Sequence, residues 1–237
     1  MALELQSPDG GARAITLSAD CAVARPSSPL STARTPRGYA LIRFNNSLGD
    51  TATVSAFDQV LDGMQEEPGL IIDLRDTPSG GNSTVALGIL GRFIGTRAPY
   101  QMHRIPVYGR PDVERVWLEE ASPQGPSPYT KPVVLIADHW TGSMGEGIAV
   151  GFDALNRATV VGTDLGRLNG SVETVTLKHT HVRVNIPEEQ IFHVNGVPRH
   201  EWSPPVLVDL IATLGLADPE LAAAERVLSD LIAKGNR

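Results

Sequence analysis

The sequence predicts an α/β protein whose central sheet is predominantly parallel. Two patterns support that class: an alternation of strand-like and helix-like segments, and a later series of strand-like runs. Short apolar runs of strand length alternate with segments in which apolar residues recur at helical spacing. This alternation starts near residue 38, and a series of strand-like runs follows after residue 158. Repeated strand and helix units of this kind pack helices against the faces of a parallel sheet.

The first units lie between residues 39 and 94. Residues 39–44 and 69–74 are apolar runs that predict buried strands. Asp50 is expected to cap a helix after the first strand. The apolar residues of that helix are Val54, Phe57, Val60, Leu61 and Met64. Asn82 or Ser83 is expected to cap a second helix. Its apolar residues are Val85, Leu87, Ile89, Leu90, Phe93 and Ile94.

The remaining elements follow from the same two patterns. Those expected after residue 100 are, in chain order, an extended run at 102–107, a helix at 113–120, a loop at 122–128, a strand at 133–137, a helix at 148–155, strands at 159–162, 172–177, 182–186 and 190–194, and a final helix that starts at Asp218 and Pro219. Proline suits the first position of a helix because its missing N–H would have no partner there.

Residues 1–37 differ from the rest of the chain. Residues 12–18 are a strand-like run, and residues 25–36 are rich in proline, serine and other turn residues. A single strand cannot bury a face by itself. We therefore expect the remnant of a preceding module, joined by a linker to a core domain of residues 38–237. The lone cysteine, Cys21, excludes an internal disulfide, and no catalytic role is expected for it.

Composition limits the partners. The chain has 20 Lys and Arg against 27 Asp and Glu, a net charge of −7 at pH 7, and no basic stripe, so nucleic acid is not an expected partner. No apolar run approaches the ~18 residues of a membrane-spanning helix. The N-terminal residues lack the regions of a signal peptide. We expect a soluble chain that is cytoplasmic as given, or secreted or periplasmic if a signal was removed.

The segment at residues 140–146, WTGSMGE, places Ser143 where a buried strand becomes a helix. A serine there can act as a nucleophile because the first free N–H groups of the helix can stabilise an oxyanion. The arrangement resembles a nucleophile elbow, with Thr141 in place of the first glycine. The alternative is an ordinary serine N-cap, in which Glu146 completes a capping box.

A second turn, at residues 73–82, follows the second predicted strand and contains Gly80 and Gly81. Adjacent glycines let the backbone approach a ligand closely. Parallel strands end at the same edge of a sheet, so this turn can face Ser143 and donate one N–H group to an oxyanion. The alternative is a plain glycine turn with Asn82 as the helix cap.

Three motifs occur in a fixed order along the chain. They are GLIIDLRDTPSGGN at 69–82, TGSMGE at 141–146 before ATVVG at 158–162, and NGVPRHEWSPPVLV at 195–208. Together they resemble the C-terminal processing, or tail-specific, serine protease family, particularly its tricorn-core and interphotoreceptor-retinoid-binding-protein-like branch. The resemblance spans about residues 38–210. It implies a crotonase/Clp-protease-like spiral of β-β-α units, and it makes residues 12–18 the last strand of a module that precedes the protease core.

The resemblance also implies residue roles. Ser143 matches the nucleophile, the N–H of Met144 is one oxyanion donor, and Gly80 or Gly81 supplies the other. Ser79 stands where the family has a glycine. Glu201 resembles the late glutamate of the histidine-dependent branch.

The general base departs from the family pattern. The lysine-dependent branch places its lysine in a Gly-Lys-Gly turn, where residues 166–170 read GRLNG, and neither Arg nor Asn is a base. Lys178 is the nearest lysine. The histidine of the other branch lies in a part of the family that this chain lacks, since no histidine precedes Asp73. His200, beside Glu201, is the favoured substitute. The other histidines are His103, His139, His179, His181 and His193.

These expectations combine into a serine endopeptidase that cleaves a peptide or protein substrate through an acyl-enzyme on Ser143. Turnover by this chain alone is expected to be slow, because the family histidine is missing. One alternative is a catalytically inactive relative that binds peptides or apolar ligands, and another is a crotonase-type acyl-CoA enzyme. No cluster has zinc-site spacing, so no metal or other cofactor is expected. A homo-oligomer is left open.

Overall fold

A six-stranded sheet forms the centre of the protein in the computed structural model, which describes residues 2–7, 9–16 and 26–235. In spatial order its strands are β13 (Val206–Leu207), β9 (Thr159–Gly162), β8 (Val133–Ala137), β5 (Leu70–Asp73), β4 (Ala40–Phe44) and β3 (Leu30–Arg34). Every neighbouring pair is parallel except β3 with β4. The predicted α/β class with a mainly parallel sheet is confirmed.

Helices cover both faces of this sheet. They are α1 (Ala52–Asp62), α2 (Ser83–Gly91) and α3 (Met144–Ala154) on one face, and α4 (Pro219–Gly235) on the other. The first three fill the larger of two apolar cores, and α4 packs on Ile71, Val134 and Ile136. Strands covered on both faces are apolar throughout. This explains why β8, and β5 as far as Asp73, are apolar runs in the sequence.

Capping side chains fix the helix starts near the edge of the sheet. Asn82 is the N-cap of α2, and its Oδ1 accepts the N–H of Val85 at 3.1 Å, as predicted. Asp218 caps α4 in the same way. The prediction that Asp50 is the N-cap of α1 is wrong by one residue, because the N-cap is Thr51. The Asp50 carboxylate instead accepts the first helical N–H at 2.9 Å.

A second sheet of three antiparallel strands packs beside α3. Its strands in spatial order are β12 (Gln190–Phe192), β6 (Ala98–Val107) and β7 (Arg110–Ala121). The helix predicted at 113–120 is wrong, because these residues pair with β6 and satisfy their backbone groups there. Gly109, at φ +72°, makes the turn between the two strands. The valines and the tryptophan of the segment favour an extended backbone.

Two hairpins stand apart from both sheets. They are β1 (Ala2–Gln6) with β2 (Ala12–Thr16), and β10 (Val172–Thr176) with β11 (Arg183–Pro187). The sequence predicted β2 without its partner β1. Residues 17 and 18 of that predicted strand, and Cys21, lie outside the described residues. None of the helices in the described ranges is both long and apolar enough to cross a membrane.

The segment predicted as a linker, residues 25–36, contains the edge strand β3. Leu30 is buried in the larger core, which holds β3 against β4 despite the many turn-forming residues around it. Residue 25 lies outside the described residues. The division of the chain into residues 1–37 and 38–237 stays a prediction.

Candidate active site

Ser143 lies in the tight connection between β8 and α3, directly before the first residue of the helix. Its backbone has φ +52° and ψ −109°, and residues other than glycine rarely take a positive φ. Such strain persists only where surrounding contacts hold it, and it is concentrated at functional sites. The residue is partly exposed, so a substrate can reach its hydroxyl.

The turn after β5 and the turn after β8 are joined to each other. Thr77 and Thr141 form a parallel bridge, and the N–H of Gly142 donates to the Thr77 carbonyl at 3.2 Å. The hydroxyls of Thr77 and Thr141 both donate to the Leu74 carbonyl, at 2.7 and 3.1 Å. The two turns therefore form one hydrogen-bonded unit at the carboxyl edge of the sheet.

Gly80 lies directly against Ser143. It has φ +63°, which favours glycine, and a Cβ atom placed on it would collide with the Ser143 Cβ. The same Cβ would lie 2.9 Å from the Ser143 Oγ and 3.2 Å from the Met144 nitrogen. The structure thus brings together three residues that the sequence singled out from two separate motifs.

Two backbone N–H groups in this unit are free to donate to a ligand. Met144 is the first residue of α3, and its N–H makes no hydrogen bond with the residues that the structure describes. The N–H of Gly80 is already bonded to the Thr77 carbonyl at 3.1 Å. In contrast, the N–H of Gly81 has no partner in the described part of the chain. Of the three predicted donors, Met144 and Gly81 therefore keep an N–H group without a partner among the described residues, whereas Gly80 does not.

Glu146 braces the serine turn from inside the protein. It forms a capping box with Ser143, in which its Oε2 accepts the Ser143 N–H at 2.8 Å. The carboxylate is fully buried, and its Oε1 accepts the N–H of Leu168 at 3.0 Å. Burial raises the pKa of Glu146, whereas the charge of Arg199 and the hydrogen bonds from backbone N–H groups oppose that rise. The N-cap interpretation of Ser143 is thus compatible with an accessible serine at the same position.

His200 and Glu201 lie in a single 3₁₀ turn, Arg199–Glu201. The His200 Nε2 is 3.6 Å from the Glu201 Oε1, and the His200 Nδ1 is buried without a hydrogen bond to any described residue. Glu201 is largely exposed, with 63% of its side chain accessible. Arg199 packs this turn towards the serine turn. However, among the described residues no hydrogen bond joins the Ser143 hydroxyl to His200, to Glu201 or to any lysine or other histidine.

The other candidate bases lie in separate surroundings. His139 is exposed beside Trp140, and Lys178, His179 and His181 are exposed where β10 turns into β11. His193 lies 3.3 Å from Asp153. In the described part of the chain, no hydrogen bond or ion pair joins any of these groups to Ser143.

His103 is held between two carboxylates. Its Nε2 is 2.9 Å from Glu119 and its Nδ1 is 2.6 Å from Glu189. Burial alone would lower the pKa of His103, but the hydrogen bonds to the two glutamates outweigh burial and raise it. Within the described ranges, no group of three or more His, Cys, Asp or Glu side chains is arranged to hold a metal ion.

A cavity of about 520 Å³ opens beside the serine turn. It is lined by Arg43, Arg75, Asp76, Pro78, Asp138, Trp140 and Asp218. Arg75 is bound by Asp73, Asp218 and Glu220. This cavity provides space at the carboxyl edge of the sheet for part of an extended ligand.

The contact between Arg199 and Glu146 is a feature that sequence reasoning missed. Arg199 lies between Pro198 and His200 in the third motif, in which the predicted roles belong to the histidine and the glutamate only. The one available signal was Glu146, which the capping-box pattern placed near Ser143. Nothing in the sequence indicated that a distant arginine would be buried against it.

Residues 38–201 match the model of peptidase family S41. No curated protein sequence matches the chain. Three solved structures are similar in fold. A peptidase candidate from Parabacteroides merdae has a TM-score of 0.71 at 18% identity, over 89% of this chain and 66% of its own. A photosystem II D1 C-terminal processing protease has a TM-score of 0.63 at 18% identity, over 96% of this chain and 59% of its own.

The third structure, mature CPAF complexed with lactacystin, has a TM-score of 0.67 at 12% identity, over 98% of this chain and 66% of its own. The chain therefore spans 59% to 66% of the length of the three structures. At these identities the likeness establishes the fold.

Proposed function

Because the chain belongs to peptidase family S41, we propose that it is a serine peptidase that cleaves peptide bonds through an acyl-enzyme on Ser143. One observation carries the proposal. The strained Ser143 lies at the start of α3 and against Gly80, and the residues that follow each of these two, Met144 and Gly81, keep N–H groups without a partner among the described residues. An oxyanion site commonly combines one donor beside the nucleophile with one from a neighbouring loop.

These positions support the following course of reaction. The Ser143 Oγ attacks the carbonyl carbon of a peptide bond, and the oxygen that becomes negative accepts hydrogen bonds from Met144 and Gly81. Gly80 contributes by lacking a side chain, since a Cβ there would fill the space beside Oγ. Collapse of the adduct expels the amine and leaves an ester on Ser143, which water then hydrolyses.

Proton transfer is assigned to His200, with Glu201 as the group that orients it. Attack by serine needs a base near its hydroxyl, and the base must then protonate the leaving amine. The His200 Nδ1 has no hydrogen-bond partner among the described residues and the Nε2 lies 3.6 Å from Glu201, so no hydrogen bond within the described residues commits either nitrogen of this ring. Catalytic hydrogen bonds are often longer without substrate and tighten when substrate binds.

The substrate class is a peptide or protein, and we propose unstructured or C-terminal segments within that class. The name of one similar structure refers to C-terminal processing. The family assignment does not favour an acyl-CoA enzyme or an inactive binding protein. A homo-oligomer stays a prediction.

Covalent labelling with a fluorophosphonate tests the proposal. The probe should modify Ser143, and Ser143→Ala should abolish the labelling. Ser122→Ala changes an exposed loop serine and serves as the matched control, which should label like the original protein. Failure of the probe to label Ser143 in a folded sample would refute the peptidase assignment.

A further inference from the structure

We propose that Glu146 and Arg199 form a buried positioning pair, which fixes the backbone of Ser143 and holds the turn of His200 and Glu201 at the same site. The proposal deepens the peptidase assignment and rests on it for its catalytic consequence. Neither residue touches the reacting atoms, so both act through their neighbours.

Glu146 connects two segments through its two oxygens. Its Oε2 accepts the Ser143 N–H at 2.8 Å, and its Oε1 accepts the Leu168 N–H at 3.0 Å. The first bond restrains a residue with a strained φ of +52°. The second ties the loop after β9 to the start of α3.

Arg199 completes the connection from the other side. Its Nε and Nη2 both donate to the Leu168 carbonyl, at 3.2 and 2.9 Å. Its Nη2 also lies 3.7 Å from the Glu146 Oε2. The N–H and the carbonyl of Leu168 are thus held by the two partners of one ion pair. Since His200 follows Arg199 directly, this closed arrangement links the serine turn to the proposed base.

Complete burial of the pair argues for a role beyond helix capping. The side chains of Arg199 and Glu146 are 1% and 0% exposed. Removing two charges from water is costly, whereas a surface glutamate would cap the helix without that cost. A buried ion pair can instead select one arrangement of the segments that it joins. Here those segments are the serine turn, the loop that contains Leu168, and the 3₁₀ turn.

Amide hydrogen exchange tests the pair without requiring activity. We expect Arg199→Met and Glu146→Gln to speed exchange at the Ser143 and Leu168 N–H groups by about tenfold to a hundredfold, as when hydrogen bonds to a charged group are lost. Arg92→Met is the matched control, because Arg92 is likewise buried, with 2% of its side chain exposed, and is paired with Asp58 and Asp62 in place of Glu146. It should leave exchange at Ser143 and Leu168 unchanged.

Fluorophosphonate labelling supplies the catalytic readout. At a temperature where all variants remain folded, labelling of Ser143 should slow by about tenfold or more in Arg199→Met and stay unchanged in Arg92→Met, even if both variants lose similar stability. Arg199→Lys keeps the charge but loses the forked contact with Leu168, so it should recover part of the rate.

The outcomes separate this proposal from the assignment of activity. Unchanged exchange at Ser143 and Leu168 in Arg199→Met, Glu146→Gln and Arg199→Lys overturns the positioning pair, whether or not the original protein is labelled. The positioning pair is also overturned if Arg92→Met and Arg199→Met slow the labelling of Ser143 equally. Faster exchange in the variants of a protein that the probe does not label supports the pair and counts against the peptidase assignment alone. If Arg199→Met does not fold, the other two variants decide the question.

Discussion

The nucleophile half of the proposed site, residues 77–81 and 140–146, is held by several hydrogen bonds from both of its turns, whereas the base half, residues 199–201, is held among the described residues mainly by the Arg199 side chain and the bonds of its own turn. Around Ser143, backbone bonds, two threonine hydroxyls and the capping box fix the chain. The base half is anchored by Arg199, while Glu201 points largely into solvent. Under the proposed assignment, the oxyanion donors lie in the half with more hydrogen bonds, and the group proposed for proton transfer lies in the half with fewer.

His200→Gln is expected to cause the largest loss and tests the base half directly. Removing a general base typically lowers turnover by about 10²–10⁴-fold. The measurement is the rate of Ser143 labelling, together with kcat/KM on an unstructured protein. His139→Gln changes an exposed histidine beside Trp140 and should have little effect. A large loss with His139→Gln and none with His200→Gln would show that the base half is wrongly assigned.

Gly80→Ala tests whether the nucleophile half depends on close backbone contact. The added Cβ would collide with Ser143, so labelling should fall by about 10²–10³-fold, as when an oxyanion donor is lost. Gly49→Ala places a Cβ in open space, and Gly196→Ala adds the strain of φ +91° without a contact. Both controls should label normally. Normal labelling of Gly80→Ala would mean that the two turns separate in solution.

The nucleophile half could be predicted because its two turns directly follow two strands that are neighbours in the parallel sheet. Adjacent parallel strands end at one edge, so Ser143 and Gly80 follow from the order of the motifs and the alternation of elements. The choice of donor could not be predicted. It depends on whether Gly80 or Gly81 uses its N–H within the turn, and Gly80 does.

The base half could not be derived from local patterns, because its anchor joins residues far apart in the sequence. The burial of Arg199 against Glu146 depends on how the loop after β9 folds back onto α3. The strand β7 was missed for a similar reason. Its charged residues conceal a period of two, and its pairing with β6 decides the structure. In both places, contacts with another element of the fold decide the structure.

His103 offers a pH test of the three-stranded sheet, whose strand β12 contacts the 3₁₀ turn of the base half. Glu189 accepts from His103 and also from the Ser171 hydroxyl, at 2.8 Å. The groups facing His103 are Glu119, Glu189, Gln101 and the stacked ring of Trp117. The pKa of His103 is raised in the folded state. Stability from this group is therefore complete below its ordinary pKa of 6.5 and is lost as the pH rises through the folded-state pKa.

His103→Gln should lower the free energy of unfolding at pH 6 by about 1–3 kcal/mol, the cost of losing buried hydrogen bonds to charged groups. The variant should also lack the pH-dependent contribution of His103 to the free energy of unfolding. Urea unfolding between pH 6 and pH 9 provides the measurement. His179→Gln, at the exposed end of the β10 and β11 hairpin, should leave both quantities unchanged. An equal pH slope in the original protein and in His103→Gln contradicts the assignment.

Asn82→Ala is expected to have the smallest effect and separates the stability of the nucleophile half from its chemistry. The Asn82 Oδ1 caps α2 through the Val85 N–H, and loss of such a cap costs about 1 kcal/mol of stability. Thr51→Ala is the matched control, since Thr51 is the N-cap of α1 but its side chain makes no capping bond. Urea unfolding should show a loss for the first variant and almost none for the second. Because Gly80 is held by its own bond to Thr77, labelling of Ser143 should change far less in Asn82→Ala than in Gly80→Ala. Comparable losses of labelling would mean that the helix cap, rather than the contact between the two turns, keeps the nucleophile half in place.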